Sequence, residues 1–89
     1  MSEDRVNAIR KALEDTFNPS ALEISDDSSQ HVGHAGARDG KGHFSVQIES
    51  DAFSGMPLIK RHRAIYSALD ALMKTDIHAL AIDARAPGE

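Results

Sequence analysis

The sequence predicts an α+β domain in which two helices cover one face of a small mixed three-stranded sheet, in the order αββαβ. Three observations predict it. Apolar residues recur at helical spacing in two segments, they alternate with polar residues in two shorter stretches, and a helical segment separates the second strand from the third. At 89 residues the chain is roughly 0.6 of the ~150 residues used as a domain-count prior, so a single domain over residues 1–89 is expected. Separate substrate and cofactor modules have no room.

The first helix is read from Val6, Ile9, Leu13 and Phe17, spaced three, four and four apart. It should run from about Glu3 to Phe17, with Ser2 as N-cap and Asn18-Pro19 as the stop. Leu22 and Ile24 alternate with Glu23 and Ser25 in a short strand that Asp26-Asp27-Ser28-Ser29 ends. Residues 27–42 then read as a flexible loop, with four glycines between Gln30 and Gly42 and no apolar period. Loops of this length in small domains are usually functional or disordered.

Phe44, Val46 and Ile48 alternate with Ser45, Gln47 and Glu49 as a second strand with one buried face. The turn from Asp51 to Pro57 delivers Phe53 and Met56 to the core. Leu58, Ile59, His62, Ile65, Tyr66, Leu69, Leu72 and Met73 then keep helical spacing, giving a second helix that ends near Lys74. Ile77 to Arg85 is the third strand, and residues 86–89 read as a disordered tail. The first two strands can pair antiparallel, while the intervening helix permits a parallel crossover between the second and third.

Forty per cent of the residues are apolar, but thirteen of those are Ala, and the aromatics are three Phe and one Tyr. The core is thin. A net charge of −4 gives nucleic acid or an anionic membrane no general attraction, so such binding would need a local patch. No Cys is present, which excludes disulfides and thiolate chemistry from this chain itself and fits a reducing compartment. No stretch approaches the ~18 apolar residues of a membrane span, and a soluble, cytoplasmic protein is expected. Neither a phosphate-cradling Gly motif nor a nucleophile–base pair stands out, so an enzyme with its own active site is not expected.

The five histidines are the informative feature. His31 and His34 lie in the loop as His-Val-Gly-His-Ala-Gly, where Gly33 and Gly36 give the backbone freedom to swing an imidazole onto a metal. His-x-x-His without neighbouring ligands equally describes two solvated side chains. His43 opens the second strand and reads as a strand-edge side chain. His62 falls among the core-facing positions of the second helix, where a hydrogen-bonded structural role is the default. His78 shares the parity of Leu80 and Ile82, so it is either a half-buried, satisfied side chain, which the pattern alone favours, or a ligand at the strand end. Lys60, Arg61 and Arg63 form the dense basic cluster, placed against the dipole of the helix N-terminus. It is either a solvated face or a docking patch for an acidic surface or phosphate backbone.

Taken together, these residues resemble the BolA family. The likeness rests on His43-Phe-Ser-Val46, Asp51-Ala-Phe-Ser-Gly55, Arg61-His-Arg-Ala-Ile-Tyr66 and Ile77-His-Ala-Leu-Ala-Ile82 at these separations, and covers nearly the whole chain. It implies the family's class II KH-like fold, in agreement with the element order. It also implies a monothiol glutaredoxin partner sharing a bridging [2Fe-2S] cluster, with glutathione and a glutaredoxin thiolate on the other iron and no cofactor on the isolated chain. The implied histidine ligands map on His78 and on His34, with His31 as second choice, and His62 in the Arg-His-Arg motif maps on a structural or docking role.

The family's Thr-Pro-x-x-Trp segment after the last strand is not matched, since this chain reads Ala86-Pro-Gly-Glu89. Some family members are described as transcriptional or morphological stress regulators. A nucleic-acid-binding role for Lys60, Arg61, His62 and Arg63, possible on DNA, is therefore the alternative expectation, although the KH Gly-x-x-Gly clamp is absent. The isolated chain is expected to be a monomer or weak dimer without membrane association.

Overall fold

The computed structural model describes residues 2–27 and 42–89, and in it the predicted elements follow in the predicted order. Helix α1 spans Ser2–Phe17 and turns Ile9 and Leu13 fully into the core, with Val6 and Phe17 packed at its edge. It ends at Asn18, whose φ of 46° is left-handed and whose N–H donates to Glu14 O at 3.0 Å. Asparagine tolerates that conformation better than most side chains, and Pro19 prevents continuation.

Strand β1 (Ala21–Asp26) pairs antiparallel with β2 (Gly42–Glu49), and β2 pairs parallel with β3 (Ile77–Arg85), giving the order β1-β2-β3. Leu22, Ile24, Phe44, Val46, Ile48, Leu80, Ile82 and Ala84 share one face and join the core. The opposite face carries Glu23, Ser25, Ser45, Gln47, Ala79, Ala81, Asp83 and Arg85 and is turned away from the described helices. Strand alternation writes both faces at once, because successive side chains point to opposite sides.

Between β2 and the next helix, Ser50 organises a 3-10 turn at Asp51–Phe53. Its buried hydroxyl donates to Phe17 O at 2.7 Å and accepts from Ala52 N at 3.1 Å. The turn drives Phe53 into the core against Phe17, with ring centres 5.0 Å apart.

The predicted second helix departs from expectation in two ways. It is divided into α2 (Leu58–Ala68) and α3 (Asp70–Thr75) at Leu69, whose φ of −102° and ψ of 12° interrupt the helical dihedrals while its side chain is buried. The hydrogen-bond ladder still crosses the break through Leu69 N to Ile65 O and Met73 N to Leu69 O. Its buried stripe is also rotated. Leu58 and Ile59 are 65% and 60% exposed, whereas Arg61 is 6% exposed and Ile65 is fully buried.

The tail corrects a further expectation. Residues 86–89, predicted to be disordered, are tied down: Ala86 is buried, and the Glu89 carboxylate accepts from Ala86 N at 3.0 Å and from both terminal nitrogens of Arg61. Leaving a buried guanidinium without a counter-charge is costly, and Glu89 removes that cost.

Candidate functional site

The site is built on an irregularity of β3. Gly42 is paired with Ile77, but the next residue of β2, His43, is paired with Ala79, so β3 carries one extra residue, His78. Such a bulge re-aims the side chain that it releases. Parity with Leu80 and Ile82 therefore fails for His78. Ile77 takes the buried position at the strand start, and His78 is exposed rather than half-buried.

The released imidazole stands beside His43. The two ring centres are 5.1 Å apart and the planes are tilted by 51°. His43 itself is half-buried and held in the ladder, its carbonyl accepting from Asp27 N at 2.7 Å. It also lines a shallow cleft with Asp27, Ser45, Ala79 and Ala81. The Asp27 carboxylate in that cleft accepts hydrogen bonds from the hydroxyls of Ser25, at 2.9 Å, and Ser45. By its sequence position alone His43 reads as a strand-edge residue. A one-residue register shift in a parallel pair leaves no mark in the local pattern, so no sequence signal joined it to His78.

The basic cluster is broken up by the fold. Lys60 and Arg63 are exposed and His62 is half-exposed, but Arg61 points inward. Its Nε donates to Met56 O at 2.7 Å, its Nη1 to Ala84 O at 3.1 Å, and its fork engages Glu89. Arg61 is thus a structural residue, and the surface patch retains only Lys60, His62 and Arg63 of the predicted set. The bonded guanidinium holds the Glu89 carboxyl down at a pKa of about 2, with help from the Ala86 N–H. One helical turn beyond His62, the Tyr66 hydroxyl donates to Leu80 O at 3.3 Å, so this side of α2 borders β3 two residues past His78.

His31 and His34, the predicted loop ligands, lie outside the described residues. Among the described residues, no group of three or more His, Cys, Asp or Glu side chains gathers to enclose a metal. Among them, too, no helix is long and apolar enough to cross a membrane.

The profile of the family described as BolA-like protein matches residues 13–89. The chain belongs to the BolA-like family. Among BolA relatives, SufE-like protein 1, chloroplastic/mitochondrial, of Arabidopsis thaliana is 48% identical over 91% of this chain, which spans only 23% of that protein's length. The solved BolA domain of SufE1 from Arabidopsis thaliana superposes with a TM-score of 0.83 at 46% identity, covering 93% of this chain and 92% of that one. The DNA-binding transcriptional regulator BolA of Escherichia coli (strain K12) is 40% identical over 83% of this chain and 68% of its own length. The predicted α+β BolA fold is therefore correct, with the bulge and the inward Arg61 as its unanticipated details.

Proposed function

We propose that this BolA-like chain is a non-enzymatic partner of a monothiol glutaredoxin that shares a bridging [2Fe-2S] cluster, in iron-sulfur trafficking or iron regulation. The observation that supports it is the placement of His78, exposed at a bulge on an edge strand where a second protein can approach. A chain without Cys supplies imidazole, and a glutaredoxin thiolate with glutathione supplies the other iron's ligands. His34, or His31 in its place, is the loop ligand on this reading. Histidine ligation on one iron raises the reduction potential above that of an all-thiolate cluster. It also requires neutral imidazole, so protons compete with iron for these ligands.

The test is reconstitution with a monothiol glutaredoxin, glutathione, iron and sulfide. A heterodimer with a visible spectrum distinct from that of the glutaredoxin homodimer is expected. An unchanged heterodimer spectrum with His78→Ala would remove His78 from the ligand set, and absence of any heterodimer would end the reading.

A second reading, nucleic-acid binding, is favoured by the name of the Escherichia coli relative and by exposed Lys60 and Arg63. It predicts DNA affinity that falls steeply with salt and a shallower salt slope after Lys60→Ala/Arg63→Ala. Binding with an unaltered slope in that variant excludes the patch.

A further inference from the structure

We propose that Tyr66 and Arg61 guard the outer edge of β3 against strand addition, and that the surface they hold closed is one on which a second copy of this chain would pair. Strand β3 ends the described sheet, so its backbone groups directed away from β2 form an edge. Their direction follows from the ladder. The Arg85 carbonyl accepts from Ser50 N at 2.9 Å, just past the end of β2, so it faces that strand. Carbonyls alternate sides along a strand, which turns those of Leu80, Ile82 and Ala84 outward. Side chains of α2 occupy both ends of this row: Tyr66 Oη donates to Leu80 O at 3.3 Å, and Arg61 Nη1 donates to Ala84 O at 3.1 Å. An incoming strand would find two of the three outward acceptors already in use.

The rest of the strand agrees with this role. At its start the extra residue of the bulge breaks the regular ladder, and bulges and inward-pointing charges such as Arg61 both blunt an edge. The sequence shows why the edge needs guarding. Ile77-His-Ala-Leu-Ala-Ile82 contains no Asp, Glu, Lys, Arg or Pro, and short apolar segments of low charge are the ones that pair edge to edge. The occupant that matches this edge is the same strand of a second copy. Although each chain carries a net charge of −4, the two uncharged runs bring no carboxylates against one another, and a two-fold axis closes the contact after two copies. The inference concerns self-association and is independent of the cluster-sharing reading.

The experiment is sedimentation velocity on the full chain and on Tyr66→Phe over a range of concentrations, with no other protein present. Tyr66 is 39% exposed, so loss of its hydroxyl should leave the fold intact, whereas Arg61 variants would disturb the core. In a symmetric pair Tyr66→Phe frees the Leu80 carbonyl of both copies, so the dimer dissociation constant should fall about tenfold or more. The backbone amides of Leu80 and Ile82 should then exchange more slowly as the concentration of the variant rises. Ala81 is exposed on the same strand. A lysine there sets like charges across the contact, so Tyr66→Phe/Ala81→Lys should return the association to that of the parent chain. The proposal is overturned if Tyr66→Phe associates no more tightly than the parent, if tighter association leaves the two amides unprotected, or if it survives Ala81→Lys. No glutaredoxin is present in any arm, so failure here leaves the cluster-sharing reading standing, and failure of reconstitution leaves this inference standing.

Discussion

Arg61 and Glu89 meet fork to fork, with Nη1 to Oε1 at 2.5 Å and Nη2 to Oε2 at 2.6 Å, although 28 positions separate them in sequence. The pair closes the chain end onto α2 and, through the bond from Arg61 to Ala84 O, onto the end of β3. Removing either partner should be unequal in effect. Glu89→Ala leaves the buried guanidinium without a counter-charge. Arg61→Ala also withdraws the donors to Met56 O and Ala84 O, so it should lower the urea midpoint further than Glu89→Ala does. Equal midpoints would show that the uncompensated guanidinium costs as much as the two lost carbonyl contacts.

Acid should weaken the same contact. The Glu89 carboxyl is lowered from 4.5 to about 2 in the folded chain, so the stability it contributes is fully present above pH 4.5 and is lost as pH falls towards 2. Glu89→Gln should flatten the stability profile in that window and leave the slope above it unchanged. Denaturant melts at stepped pH measure both.

Ile65 and Ile59 lie on the same helix, six residues apart, and should respond oppositely to truncation. Ile65→Ala, at a fully buried position, should cost about 2–5 kcal/mol. Ile59→Ala, 60% exposed, should stay within about 0.5 kcal/mol. Paired urea titrations read the difference directly, and comparable losses would mean that the stripe of α2 is turned towards Ile59.

Ser50→Ala should cost about 1–2 kcal/mol, because it removes the cap of the 3-10 turn and the donor to the Phe17 carbonyl. Ser50→Thr retains the hydroxyl, so partial recovery in a thermal melt would assign the loss to hydrogen bonding rather than to packing.

The order of elements and much of the core were legible because amphipathic periods are local. Ile9 and Leu13 are read from α1 alone, and Phe44, Val46 and Ile48 from β2 alone. Errors arose where a distant residue decides. Leu58 and Ile59 are two adjacent apolar residues at a helix start, and period cannot choose between them and the stripe through Arg61. Arginine at a core position becomes sensible only once Glu89 is beside it. In the candidate site, His78 was found through its family motif, but its exposure and its neighbour His43 depend on the inserted residue of β3, which pairing creates and composition does not reveal. His31 and His34 fall outside the described residues.

The face of the sheet turned away from the described helices bears on behaviour at high concentration. Fibril growth by lamination needs dry, self-complementary side-chain layers. Glu23, Gln47, Asp83 and Arg85 instead keep that surface wet and charged, so concentrated solutions should resist amyloid-type stacking through this face.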